Sequence, residues 1–321
     1  GQADVEVEDT GGVGPVQLVR ADTGIDLGTN SDVIGHDVTG ASIVDGGIIV
    51  NGGISNLIEF NTTDSQARFN GPLHLQSNLR IDTDTDDIDD GTGGNVVFTN
   101  DTPVNSKDGS DSNRVTTSIE RHALTIDSGA ASVLFNEDIG ATQALESLTI
   151  EQADTRVVFG QADNENNDTG GVGPLSIINA DMGIDIGSAS VIGRDFMGLA
   201  LANGGIVINA GSATLLEINT IASPSRFNGV LTLHSDLRID TDPTDIDNGI
   251  GGDVVFTNDT AIDSGDGSDT NATGTNAERN SLTIDAGGAS VFFNEDVGST
   301  QPLGSLIIEQ ADNRVVFGQA D

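Results

Sequence analysis

Aspartate is the residue through which this chain could do chemistry. The stretch LRIDTDTDDIDDGTGGNVVF, residues 79 to 98, places six aspartates between Asp82 and Asp90. Residues 237 to 256 read LRIDTDPTDIDNGIGGDVVF, so the feature occurs twice. Both copies keep the spacing D-x-D-x-x-D-x-D followed by Gly. It runs through Asp82, Asp84, Asp87 and Asp89 in the first and Asp240, Asp242, Asp245 and Asp247 in the second. A further acidic loop follows each: KDGSDSN (107 to 113) with Asp108 and Asp111, and GDGSDTN (265 to 271) with Asp266 and Asp269.

A hard cation takes about six to eight oxygen ligands, and closely spaced carboxylates with loop carbonyls supply them, so calcium is the cofactor this pattern suggests. It is not an EF-hand loop, because the Gly after the third Asp and the terminal Glu are absent, and it is not the GGxGxD calcium repeat. The competing reading is a solvated turn, since Asp, Gly, Asn and Thr fill any exposed loop. Like charges this close repel one another, and either a bound ion or diffuse counterions would relieve them.

Paired carboxylates also cleave sugars, so a carbohydrate-active enzyme on a β-helix is an alternative. The chain has no Trp and no Tyr to form sugar platforms, and its 11 Phe fall at repeated positions that read as core. Histidine catalysis fails an internal comparison. His36, His74, His122 and His234 face Arg194, Thr232, Asn280 and Gln76 in the other copy, so no His is shared. The chain is therefore not expected to be an enzyme, and no catalytic residue is assigned.

The elements that hold these loops are short strands. The 321 residues carry 51 acids against 12 Lys+Arg, a formal net charge of -39, which repels nucleic acid and anionic lipid. Disorder is excluded because the 36% hydrophobic content is gathered into regularly spaced β-prone runs. Cysteine is absent, so there is no disulfide and no thiolate site. No apolar run is long enough to span a membrane.

The chain is a tandem repeat. GQAD begins at Gly1, Gly160 and Gly318, at intervals of 159 and 158 residues. Residues 1–159 form unit one, 160–317 unit two, and 318–321 read as the start of a next unit, so the chain reads as an excerpt of a longer array. Within a unit, twelve-residue windows share a template of apolar, any, apolar, then a final Phe: IEFNTTDSQARF at 58, LTIDSGAASVLF at 124 and LTIEQADTRVVF at 148. The acidic stretch is this template with eight residues let in. A strand, a Gly/Asp/Asn turn and a second strand repeating in this way predict an all-β parallel β-solenoid. Tandem β-sandwich domains are the alternative. Template starts at 16, 58, 79, 124, 148 and 175 suggest a coil of 21 to 27 residues, with the step of 42 counted as two coils. That spacing predicts about six or seven coils per unit and a length of about 30 Å. Four Arg are shared between units and are expected to pair with acids along the stack. They are Arg68/Arg226, Arg80/Arg238, Arg121/Arg279 and Arg156/Arg314.

The residues FNGPLHLQSNLRIDTD…GGNVVFTND, followed by LTIDSGAASVLFNEDIGATQALESLTIEQAD, resemble the repeats of giant bacterial surface adhesins. These are the filamentous-haemagglutinin-like and autotransporter-like β-strand-repeat proteins, in which LTxxAGxGxVxFxxxVGxxxxLxSLTV recurs. The likeness covers roughly the last 95 residues of each unit. It implies export to the cell surface, a parallel β-solenoid, and a structural or adhesive role as a stalk or filament. The expected partners are other copies of the chain, end to end or side by side, and surface glycans or matrix. Neither nucleic acid nor membrane insertion is expected. The long Asp loops depart from the family repeat. An acidic surface-layer protein of a halophile is a second alternative, since a single Lys, Lys107, among so many acids also fits adaptation to salt.

Overall fold

The structure is a computed structural model. It describes residues 17–27, 47–52, 57–84, 92–99, 102–107, 120–160, 175, 177–186, 205–210, 215–242, 250–257, 260–265 and 279–318. In unit one the chain forms β1 (Leu18–Arg20), β2 (Ile25–Leu27), β3 (Ile48–Val50), β4 (Leu57–Asn61), β5 (Ala67–Phe69), β6 (Leu73–Leu75) and β7 (Asn78–Asp82). It continues with β8 (Val96–Phe98), β9 (Val104–Ser106), β10 (Leu124–Asp127), β11 (Ser132–Phe135), β12 (Leu148–Gln152) and β13 (Arg156–Gly160). Unit two repeats the series as β14 (Ile177–Asn179), β15 (Ile184–Ile186), β16 (Ile206–Asn209), β17 (Leu215–Asn219), β18 (Ser225–Phe227), β19 (Leu231–Leu233) and β20 (Asp236–Asp240). It ends with β21 (Val254–Phe256), β22 (Ile262–Ser264), β23 (Leu282–Asp285), β24 (Ser290–Phe293), β25 (Leu306–Gln310) and β26 (Arg314–Phe317). No helix occurs among the described residues.

Among the described residues every strand pair is parallel, and each strand pairs with the strand one coil away. The first sheet has ten strands in the order β1-β4-β7-β10-β12-β15-β18-β21-β24-β26. The second has eight, β2-β5-β8-β11-β13-β16-β19-β22. The third consists of β3-β6-β9 and β14-β17-β20-β23-β25, joined through bridges from Val104 to Ile139 and from Ile139 to Ile178. Three sheets wound from consecutive strands make a parallel β-solenoid, and the parallel pairing rules out the antiparallel sandwich alternative.

Stacking explains the sequence template. One coil lies about one strand spacing, roughly 4.8 Å, above the last, so equivalent residues meet. Leu79, Leu124 and Leu148 are paired in register, as are Ile81, Ile126 and Ile150. Phe69, Phe98, Phe135 and Phe159 stack with ring centroids 5.1, 4.6 and 5.5 Å apart. Phe227, Phe256, Phe293 and Phe317 repeat the ladder at 5.3, 5.2 and 5.0 Å. Most buried apolar residues form one continuous core from Ile25 to Phe293 that passes through the unit boundary, and Val97, Leu134 and Val158 form a small second cluster.

The expected coil count is corrected. Among the described residues each unit fills fourteen face positions: thirteen strands and one bridge position, Ile139 in unit one and Val297 in unit two. Fourteen positions on three faces make four and two-thirds coils, about 22 Å at one strand spacing per coil. The step of 42 residues is one coil and not two, because β1 pairs directly with β4. The template describes two strands of each coil. The remaining strands of each unit, such as β6 (LHL) and its counterpart β19 (LTL), are as short as three residues and carry no such signature; they lie on the third sheet in unit one and on the second in unit two.

The fraction has a consequence. Because fourteen is not a multiple of three, unit two is turned by one face relative to unit one. β1 and its counterpart β14 lie in different sheets, and β12 and β13 pair with β15 and β16 rather than with the counterparts of their own faces.

Candidate functional site

Four of the twelve candidate ligands are described: Asp82, Asp84, Asp240 and Asp242, all buried. Asp87, Asp89, Asp108, Asp111, Asp245, Asp247, Asp266 and Asp269 lie outside the described residues. The four described aspartates stand where β7 and β20 end and the acidic insertion leaves the coil. Each first aspartate caps its own turn. Asp82 Oδ1 accepts the Asp84 backbone N–H at 3.1 Å, and Asp240 Oδ1 accepts that of Asp242 at 2.9 Å. This is the local bond that makes Asp a turn residue.

Between the two aspartates a threonine staples the neck of the insertion. Thr241 Oγ1 donates to the Gly252 carbonyl at 2.7 Å and accepts the Gly252 N–H at 3.0 Å. Thr83 and Gly94 repeat the pair in unit one. A Cβ on Gly94 would stand 2.1 Å from the Ser65 carbonyl oxygen of the previous coil, so only glycine closes the neck. The insertion therefore leaves and rejoins the coil at one point, and the strands on either side stack as they do where no insertion is present.

The second oxygen of the capping aspartate meets arginine. Arg80 binds Asp82, and Arg238 Nη1 lies 2.5 Å from Asp240 Oδ2. Each guanidinium also reaches two acids from the next coils. Arg80 Nη2 is 2.9 Å from Glu151 Oε2 and 3.6 Å from Asp127 Oδ2. Arg238 Nη2 is 3.1 Å from Glu309 Oε2 and 3.9 Å from Asp285 Oδ2. Asp127 stands in register over Asp82, and Asp285 over Asp240. Asp127 and Asp285 cap turns in turn, accepting the Gly129 and Gly287 N–H at 3.1 and 3.0 Å.

Three carboxylates thus share one arginine in each unit. Burial, together with the like charges of Asp82 and Glu151, pushes the Asp127 carboxyl up to about 6, against the pull of the Gly129 amide and Arg80. Asp285 is raised for the same reasons, burial first. Burial opposes the charge on Arg80, but Asp82 and Glu151 outweigh it and hold the guanidinium above its ordinary value. Among the described residues no group of three or more His, Asp or Glu side chains is disposed to hold a metal ion.

Spacing within one stretch did not reveal Asp127, Glu151, Asp285 and Glu309. The signal was available in the template, because LRID, LTID and LTIE each end on an acid and the register stacks them. A bulge after Ile126 pairs Asp127 with Gln152, which leaves Glu151 free to turn toward Arg80.

The expected pairing of arginines with acids is found for most of the shared set. Arg68 pairs with Asp26 at 3.2 Å, Arg226 with Asp185 at 2.8 Å, and Arg121 with Asp181. Arg314 instead lies 5.2 Å from the centre of the Phe292 ring.

The fold and these capped turns define a class: a parallel β-solenoid with acidic loops let into its coils. Comparison of the chain with protein-family models, with curated proteins and with solved structures finds no match.

Proposed function

We propose that this chain is a structural repeat region of an exported cell-surface fibre or adhesin. It forms an elongated extracellular stalk, carries adhesive loops on its flank, and assembles with other copies of itself. The observation that carries this reading is the continuity of the three sheets across the unit boundary. Among the described residues nothing in the core distinguishes the junction from the interior of a unit, so adding units would lengthen one rod and not string separate bodies together. The resemblance to bacterial surface repeats supports the location and the adhesive role. Surface glycans or matrix are the partners that such loops would meet.

The described geometry bears on the calcium reading as well. In Asp82 and Asp240 both oxygens are already engaged, by a backbone N–H and an arginine, so they serve the coil. A cation would then be left to the other candidate acids, Asp84, Asp87, Asp89, Asp108 and Asp111 in unit one and Asp242, Asp245, Asp247, Asp266 and Asp269 in unit two, with loop carbonyls.

Small-angle X-ray scattering on covalent chains of two, four and six units tests the rod. The maximum dimension should grow by about 22 Å per added unit. A compact particle whose dimension grows with the cube root of mass would end the fibre reading. Thermal melts in calcium, in EGTA and in concentrated KCl test the ion. A rise in melting temperature with millimolar calcium alone supports a specific site, and a response to monovalent salt alone supports diffuse screening.

A further inference from the structure

Asparagine followed by glycine rearranges readily in water, because glycine leaves the next backbone nitrogen unshielded. That nitrogen attacks the side-chain Cγ, loses its proton, and expels the side-chain nitrogen as ammonia. The succinimide ring so formed takes up water at either carbonyl. It opens to aspartate or to isoaspartate, in which the main chain runs through the side chain. This sequence has five such pairs: Asn51–Gly52, Asn70–Gly71, Asn203–Gly204, Asn228–Gly229 and Asn248–Gly249. Asn203 and Asn248 lie outside the described residues, and their counterparts in unit one read Asp45–Gly46 and Asp90–Gly91, the deamidated form. Only Asn70–Gly71 and its counterpart Asn228–Gly229 keep the susceptible pair in both units.

We propose that Asn51, Asn70 and Asn228 are latent deamidation sites, each held shut by a hydroxyl of the next coil and modified when that coil opens. In unit one the Gly71 N–H donates to Thr102 Oγ1 at 3.1 Å, and Asn70 Oδ1 accepts the Thr99 hydroxyl at 2.8 Å. The Thr102 hydroxyl in turn donates to the Phe69 carbonyl at 2.8 Å. Unit two repeats all three bonds. Gly229 N–H donates to Thr260 Oγ1 at 3.1 Å, Thr257 to Asn228 Oδ1 at 2.7 Å, and Thr260 to the Phe227 carbonyl at 2.7 Å. At Asn51 different residues do the same work. Gly52 N–H donates to Ser77 Oγ at 2.8 Å, and Asn51 Nδ2 donates to Gln76 Oε1 at 2.9 Å. Asn51, Asn70 and Asn228 are 5%, 2% and 1% exposed.

Ring closure needs the glycine nitrogen to give up its proton and approach Cγ, and ring opening needs water. Here the N–H points to a hydroxyl of another coil, a second group of that coil pins the carboxamide, and the site is closed to solvent. Freeing the pair breaks hydrogen bonds between coils, so the reaction reports local opening. The turn itself imposes the hazard. Gly71 and Gly229 have φ of 138° and 148°, which only glycine adopts readily, so a safer residue cannot follow the asparagine. The products fit poorly. Aspartate would bring a charge into a buried site, and isoaspartate lengthens the backbone at a position that must stay in register. An opened coil that has reacted therefore does not close as before, and each opening leaves a covalent record.

The inference is independent of the fibre reading, and peptide mapping by mass spectrometry with an isoaspartate assay tests it. The whole chain is held in mildly alkaline buffer, with and without denaturing urea. Asn51, Asn70 and Asn228 should stay intact in the native chain and deamidate in urea. Ser77→Ala should release Asn51 alone and Thr102→Val should release Asn70 alone, each by about tenfold or more over the native wild type. Asn228 in the same molecule shows that the rest of the solenoid stays closed. Thr102→Ser keeps the hydroxyl and should protect Asn70 as the wild type does. Native wild type that deamidates at the unfolded rate would overturn the proposal. So would either hydroxyl-free variant that keeps its circular dichroism spectrum and reacts as slowly as wild type. If Thr102→Val unfolds, Asn228 reacts together with Asn70 and Ser77→Ala decides: release of Asn51 alone supports the hydroxyl's role, and no release overturns it.

Discussion

Arg226 and Asp185 form an ion pair that is closed off from water, and Arg68 and Asp26 form the same pair with the carboxylate half in solvent. The sequence is equivalent and the energetics are not. Burial raises the Asp185 carboxyl above its ordinary value while Arg226 pulls it down, so the arginine is what keeps a buried charge tolerable. Replacing Arg226→Met should cost about 3–5 kcal/mol in urea unfolding at pH 7, because a buried carboxylate loses its partner. Replacing Arg68→Met should cost about 1 kcal/mol or less, because Asp26 remains hydrated. Equal costs would contradict the difference in burial. Asp127 supplies a pH dependence of known sign. Its folded value of about 6 lies above that of an unfolded aspartate. The folded chain therefore holds this proton longer, and the stability it contributes is complete below about pH 4 and lost as the pH rises through about 6. Asp127→Asn keeps an acceptor for the Gly129 N–H and removes the charge. Wild type and variant should melt alike at pH 4, with the variant more stable by about 1–3 kcal/mol at pH 7.5. A constant offset between the two at all pH values would contradict this account.

At the scale of elements, the phenylalanine ladder ties neighbouring coils together. Phe98 is fully buried between Phe69 and Phe135. Phe98→Ala should cost about 3–5 kcal/mol by denaturant titration, whereas Phe317→Ala in this chain, where the ring is 66% exposed, should cost about 1 kcal/mol or less. The positions of this ladder were legible in the sequence because a parallel solenoid places each residue on its own counterpart one coil earlier. Any favourable stack is thereby repeated in the text of the chain. The capping aspartates were legible only as acids. Asp82 and Asp84 stand in the same run as Asp87 and Asp89, and nothing in the run marks out the aspartate that caps a turn. The distinction comes from Thr83 and Gly94, which close the neck eleven residues apart and mark where the coil stops and the insertion begins.

At the scale of the molecule, the turn by one face per unit governs how the loops are displayed. The Arg80 cluster sits on the first sheet and the Arg238 cluster on the third. In a longer array the insertions would follow one another around the three edges of the rod and return to the same edge after three units. Three units make fourteen coils, about 67 Å. A gold label on one cysteine introduced per insertion should therefore appear in electron micrographs with an axial rise of about 22 Å and a same-edge repeat of about 67 Å. A single row of labels with the shorter spacing would contradict the rotation. Such a display lets a ligand be met from any side of the fibre and spaces like-charged loops three times further apart along each edge.

By itself the sequence determined that the chain is a tandem repeat and that its elements are short strands on one template; it favoured a parallel solenoid over tandem sandwiches, and the parallel pairing of the strands decided between them. The repeat and the template follow from local pattern, and self-similarity preserves local pattern. Only the tertiary structure decided the number of coils, the existence of a third strand in each coil, the turn between units, and the work done by Asp82, Asp127 and Glu151. The physical reason is that a coil closes in space and not in residue count. Loops of very different length return the chain to the same strand spacing. Which acids then meet one arginine depends on the register between coils, which the spacing along the chain does not encode.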